Sequence, residues 1–302
     1  MLLQACLNGA RQKRDHRAVP SHAAEIARDA LAAARAGAGA VHVHPRDAAG
    51  QESLAAECVA AVCDAVRAAC GALPIGVTTA AWIQPDVERR VQSISQWTML
   101  PEFASVNLSE DGAVRVIELL NEMGIGVEAG VWTVDDARML FNEGLDSACM
   151  RVLVEVDAVG DPLEAVALAT RIDSVLDDAQ VMAPRLHHGV EVATWAVIDA
   201  AMARGHDVRI GLEDTLVMPD GSVAVDNEAL VREVAAMART AGRSVEAVLI
   251  LGPAQTPFGT LQASSSSHAV ATASLGARQS PRGESEPPDP TFGPLGMADR
   301  LN

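Results

Sequence analysis

The sequence predicts a closed (β/α)8 barrel. Short apolar, strand-like runs alternate strictly with longer Ala-rich helical stretches, and the alternation recurs eight times. No GxGxxG follows the first apolar run, so the doubly wound dinucleotide-binding sheet lacks its main sign. At 302 residues with 49% hydrophobic side chains, the chain can form such a barrel as one large domain.

The elements follow in order. Strands are expected at 2–8, 40–44, 74–79, 103–108, 124–131, 148–156, 180–187 and 207–213. Helices are expected at 21–36, 54–69, 85–99, 112–123, 134–142, 162–176, 192–203 and 226–241. Gly37-Ala38-Gly39 ends the first helix. In the last helix Leu230, Val234, Met237 and Ala241 recur at helical spacing, with Asp226 as N-cap and Gly242 as the stop. Beyond residue 259 the chain changes character. Ser264–Ser267 and the Pro-rich Glu286–Pro290 lack apolar periodicity, so the barrel is expected to occupy 1–259 and a disordered tail 260–302. His268 falls in that tail and is not a candidate for chemistry. The tail carries three arginines against four acidic residues, which leaves the acidity in the folded body.

A net charge of −17 argues against nucleic acid and anionic membrane surfaces as partners. With no Tyr and four Phe, there is no aromatic platform for stacking bases. The five cysteines form no CxxC pair and read as reduced, buried thiols of a cytoplasmic protein. Neither a signal-type N-terminus nor a charge-free apolar run of membrane length is found, so a soluble protein is expected.

In a parallel barrel, chemistry gathers at the C-terminal ends of the strands. The first run ends in Asn8-Gly9 and is followed by a basic loop from Arg11 to Arg17, suited to the phosphates of a carrier such as coenzyme A. The second run carries the strongest signal. In Val41-His42-Val43-His44-Pro45-Arg46-Asp47 both histidines fall on one face of a strand, aimed at one point. Two convergent imidazoles are half of a metal site. Thr78 and Thr79 end the third run, Asn107 the fourth, and Glu128 lies in the fifth. The seventh reaches Arg185, His187 and His188. In the eighth, Arg209, Gly211 and Glu213 share a face opposite Val208, Ile210 and Leu212. Closure places the eighth strand beside the first and the first beside the second, so Glu213 can join His42 and His44 in a three-ligand site with an open position, the pattern of catalytic zinc. An inward Arg209 needs a carboxylate or an anionic ligand.

Leu7-Asn8-Gly9-Ala10-Arg11, His42-Val43-His44-Pro45-Arg46-Asp47 and Arg209-Ile210-Gly211-Leu212-Glu213-Asp214 together resemble the β-keto acid cleavage enzymes. The resemblance covers about residues 3–252. It implies a TIM-barrel acyltransferase, typically zinc-dependent and homotetrameric. Such an enzyme condenses a β-keto acid with acetyl-CoA and yields acetoacetate and a new acyl-CoA. It implies His42, His44 and Glu213 as metal ligands and Arg209 and Asp214 as the acid–base pair, with Asp214 the base that removes an α-proton. Asn8, Arg11, Thr78, Thr79, Asn107 and Glu128 are candidate substrate contacts. The founding type meets its substrate's amino group with an acid in the loop after the first strand. Here that loop reads Ala10-Arg11-Gln12-Lys13-Arg14, so a neutral or anionic keto acid is expected. A class II aldolase, a zinc hydrolase or a non-catalytic binding protein on the same barrel are the alternatives.

Overall fold

The computed structural model describes residues 1–156 and 160–245. Eight strands close into a barrel in chain order: β1 (Leu3–Cys6), β2 (Ala40–Val43), β3 (Ile75–Thr78), β4 (Phe103–Asn107), β5 (Gly126–Val131), β6 (Arg151–Val156), β7 (Arg185–Gly189) and β8 (Asp207–Ile210). All neighbouring pairs are parallel. The barrel closes where Leu3, Gln4 and Ala5 stand opposite Val208, Arg209 and Ile210. Eight helices alternate with the strands: α1 (Ala23–Ala36), α2 (Ala56–Cys70), α3 (Val87–Ser95), α4 (Ala113–Glu122), α5 (Val134–Asn142), α6 (Pro162–Asp178), α7 (Thr194–Ala203) and α8 (Asn227–Thr240). The expected (β/α)8 barrel is the observed fold. The expected tail, 260–302, lies outside the described residues, as does the expected barrel end at 259.

Strand alternation sorts the side chains into two layers. Leu3, Ala5, Val41, Val43, Ile75, Val77, Val127, Val152, Val208 and Ile210 point outward and are buried under the helices. At roughly 1.5–3 kcal/mol for each large aliphatic side chain buried, this shell supplies the main cohesion. The inward layer is far more polar, with Gln4, Cys6, His42, Glu128, Arg151, His188 and Arg209, and Phe103 fills the space left beside Gly76. Helix starts are capped as their sequences direct. Asp86 accepts from Arg89 N, Thr133 and Asp136 form a reciprocal box, Asp161 precedes Pro162, and Asp226 accepts from Ala229 N at 2.8 Å. Among the described residues no helix is long and apolar enough to cross a membrane.

Most boundaries shift by a few residues, and those of three strands have a local cause. β7 begins at Arg185 rather than 180, because α6 runs on to Asp178 and Gln180 turns the chain at a φ of 57°. β6 begins at Arg151, since Asp146–Ala148 coil into a 3-10 turn. β8 stops at Ile210, and Gly211–Asp214 leave the sheet as a turn.

Candidate active site

The site sits where β1, β2 and β8 end. Asn8 fastens the first two: its Nδ2 donates to His44 O at 3.0 Å and Pro20 O at 3.2 Å, and its Oδ1 accepts from His44 N at 2.9 Å. Gly211 and Gly9 bring the third element in. A Cβ at Gly211 would meet the Cys6 carbonyl oxygen at 1.8 Å, and one at Gly9 would meet Glu213 Cγ at 2.4 Å. Only glycines allow this approach, and it carries Glu213 to the histidine pair.

The His42 and His44 rings stand edge to face, centroids 5.2 Å apart. Glu213 Oε1 lies 3.8 Å from His42 Nε2 and 3.5 Å from His44 Nε2, and one ligand atom from each of the three residues falls within 4.8 Å of the others. Glu213 Oε2 is buried without a hydrogen-bond partner. Arg209 donates to Glu213 Oε1 at 2.6 Å and to Asp214 Oδ1 at 3.0 Å. Asp214 meets His188 Nδ1 at 3.2 Å and accepts from Cys6 Sγ at 2.6 Å, while His188 Nε2 reaches Glu155 at 3.0 Å.

The electrostatics follow from these contacts. Burial holds the His42 imidazole neutral, down to about 3. Burial opposes charge on His44 as well, yet the Glu213 and Glu52 carboxylates push it up to about 9. Arg209 and the His44 imidazole outweigh burial and keep Glu213 well below the usual carboxylate range. Arg209 and His188 do the same for Asp214. Glu52, Glu155, Glu213 and Asp214 face the guanidiniums of Arg46 and Arg209 and the protonated His44 imidazole, so a divalent cation here would take the place of the His44 proton. Two imidazoles and a carboxylate with an unsatisfied oxygen are a donor set that fits a divalent metal ion.

A second group, Asp173, His187 and His206, also brings candidate ligand atoms together. Its chemistry differs. The two imidazoles stack in parallel, 13° apart in plane, and address separate oxygens of Asp173 at 3.2 and 3.4 Å. Arg185 at 3.3 Å and Arg204 at 2.9 Å already neutralise that carboxylate. A buried dication there would add unbalanced charge, so this group is an ion-pair knot tying α6 to β7 and the α7–β8 joint.

The later start of β7 corrects the reading of its polar residues. His188 faces the barrel interior, whereas Arg185 and His187 face α6. Asn8, expected at the substrate, spends its amide on the backbone of β2 and Pro20. Arg11, also expected there, donates to Glu213 O at 3.2 Å and pairs with Glu191 at 2.5 Å, so no free cation faces the opening from that position. Glu128 lies inside the barrel, bound to Gln4 at 2.7 Å and Arg151 at 3.3 Å, and burial raises its pKa. Thr78 and Asn107 point inward from the ends of β3 and β4, while Thr79 donates to Ser105 O at 2.7 Å. Cys6, His188, Glu155 and Glu52 complete the network without having been assigned to it. Alternation along β1, β6 and β7 marks the first three as inward-facing; nothing periodic marks Glu52, which lies in a loop.

The sequence profile of the beta-keto acid cleavage enzymes matches residues 1–248. A 3-keto-5-aminohexanoate cleavage enzyme of Fusobacterium nucleatum is 24% identical over 265 residues, 81% of this chain and 93% of that protein. Its counterpart from Acetoanaerobium sticklandii is 26% identical over 277 residues, 83% of this chain and 98% of that protein. Among solved structures, ObcA in a binary complex with oxaloacetate superposes with a TM-score of 0.61 at 17% identity, over 76% of this chain and 65% of ObcA. ObcA has also been solved in a ternary complex with a C4-CoA adduct and oxalate. This chain therefore spans just under two thirds of ObcA's length.

Proposed function

The chain belongs to the beta-keto acid cleavage enzyme family, and from that membership we propose that it is a divalent-metal acyltransferase exchanging a β-keto acid with acetyl-CoA to give acetoacetate and a new acyl-CoA. The observation that carries this reading is the approach of Glu213 to His42 and His44, with Asp214 held beside it by Arg209. A zinc ion bound by His42, His44 and Glu213 would supply Lewis acidity toward the keto and carboxylate oxygens of the substrate. Asp214 is the general base: it takes the proton from the carbon between the ketone and the carboxylate, and that carbon attacks the acetyl thioester carbonyl and expels coenzyme A thiolate. The thiolate then adds to the original ketone, and the bond from that carbonyl to the α-carbon breaks to release the new acyl-CoA. Return of the proton to the α-carbon gives acetoacetate. Arg209 keeps Asp214 ionised and aimed, and His188 and Cys6 fix its remaining directions. Thr78 and Asn107, at the inner rim, are the substrate contacts we retain. With Arg11 in the loop after β1 in place of an acid, a neutral or anionic keto acid is the substrate class.

The relatives support this chemistry. Two are named for cleavage of a keto acid, and ObcA binds oxaloacetate, itself a β-keto acid, and a CoA adduct. The test is turnover of a panel of β-keto acids with acetyl-CoA, followed by mass spectrometry, with metal analysis of the same sample. Acetoacetate formed only with both acetyl-CoA and metal is the expected result. Metal without acetyl-CoA-dependent product across the panel overturns the acyl exchange and points to an aldolase or hydrolase.

A further inference from the structure

The two histidines of the centre are not held alike. His42 Nδ1 is buried without a hydrogen-bond partner. His44 Nδ1 meets Glu52 Oε1 at 2.5 Å. Glu52 lies in the loop after β2, which folds back on itself: Asp47 N donates to Gln51 O, Ser53 N donates to Pro45 O, and Arg46 bridges Glu52 in antiparallel fashion. That hairpin returns the carboxylate to the imidazole. Trp82, from the loop after β3, covers the pair. Its ring stacks over His44 with centroids 6.2 Å apart and planes 22° apart, and its Nε1 lies 3.3 Å from both Glu52 oxygens. Trp82 is 52% exposed, so it covers the pair from the solvent side.

A carboxylate on Nδ1–H fixes the imidazole tautomer, so that Nε2 carries the lone pair. His44 Nε2 is the nitrogen that faces Glu213. We propose that Glu52, steadied by Trp82, is the positioning residue that prepares His44 for the metal and sets how tightly the centre holds it. This rests on the metal reading of His42, His44 and Glu213. Glu52 acts only through His44 and touches no reacting atom. The indole fixes the carboxylate, the carboxylate fixes the ring, and the ring presents one nitrogen.

The experiment is zinc affinity of the full chain, stripped of metal and titrated against a chromophoric chelator, for the wild type, Glu52→Ala, Glu52→Gln and Trp82→Phe. Melting of the metal-free proteins checks that each is folded. Glu52→Ala is expected to bind zinc about 10- to 100-fold more weakly. Glu52→Gln, which keeps an acceptor oxygen but loses the charge, should fall between it and the wild type. Trp82→Phe keeps the stacking and loses the N–H, so it should give the smallest change. A folded Glu52→Ala protein with wild-type zinc affinity overturns the proposal while leaving the metal site standing. A wild type that takes up no zinc overturns the metal reading and the proposal together. If Glu52→Ala does not fold, the Gln variant decides by the same comparison.

Discussion

The Cys6 thiol donates to Asp214 Oδ2 at 2.6 Å in the barrel interior, across 208 residues of sequence. Burial and the neighbouring Asp214 carboxylate raise its pKa well above that of an ordinary cysteine, so Cys6 remains a neutral donor. It does not have the low-pKa environment of a nucleophile. Its contribution is one of three restraints on Asp214, beside Arg209 and His188.

That restraint has a measurable size. A hydrogen bond to a charged group contributes about 1.5 kcal/mol or more, so Cys6→Ala should lower kcat roughly tenfold. Metal content should not change, and Cys6→Ser, which keeps a donor, should recover most of the loss. Steady-state kinetics with metal analysis check this. Unchanged kcat in Cys6→Ala would show that Arg209 and His188 alone hold the base.

Glu213 and Asp214 are adjacent in sequence and carry different proposed roles, ligand and base, so their amides separate them. Glu213→Gln should lose metal and activity together, because a neutral amide is a poor ligand and leaves Arg209 without its 2.6 Å partner. Asp214→Asn should keep its metal and lose at least about 100-fold in kcat, the scale of a general base. Full metal occupancy in Glu213→Gln would remove that residue from the ligand set; near-normal turnover in Asp214→Asn would reject it as the base.

The route by which Glu213 reaches its place also shows what the sequence discloses. The His42/His44 pair is legible, because alternate residues of a strand share a face whatever else the barrel does. Glu213 was expected on the same grounds, as an inward residue of the eighth strand. Instead the strand stops at Ile210, and a turn passing close over Cys6 delivers the carboxylate. The destination was readable and the means was not, since close backbone approach leaves only a glycine as its trace. Arg11 and Asn8 show a different limit. Side-chain type announces a charge or an amide, but the partners, Glu191 and the backbone of His44, are 180 and 36 residues away. Glu52 had no periodicity to betray it.

Gly211 should therefore tolerate no side chain. A Cβ there would lie 1.8 Å from the Cys6 carbonyl oxygen, and backbone cannot yield as a side chain does. Gly211→Ala should destabilise the protein by about 1–3 kcal/mol or more and displace Glu213, lowering metal affinity as well. Urea denaturation and metal titration of the same variant read both effects. Normal metal affinity in a destabilised variant would show that the turn moves without carrying Glu213.

The last prediction concerns Asp29 on α1. Asn227 at the start of α8 donates to Asp29 Oδ2 at 2.6 Å and to Leu7 O at 2.8 Å, and accepts from Leu212 N at 2.6 Å. Through it the carboxyl of Asp29 is joined to the turn that carries the site. Burial, reinforced by Asp226 and Glu228 and opposed by the Asn227 bond, pushes Asp29 from 3.8 up to about 7. Below pH 3.8 both folded and unfolded chains hold this proton and Asp29 has no effect on stability. Between there and about 7 the unfolded chain has released it while the folded chain retains it, so stability falls as pH rises. Above about 7 both forms are ionised and the loss is complete. Asp29→Asn keeps an acceptor for Asn227 and removes the charge. Its stability should equal that of the wild type near pH 4, pull ahead as the pH rises, and keep a constant lead at pH 8. Urea midpoints for both proteins across that range measure the gap; parallel profiles would mean that Asp29 titrates at its ordinary value.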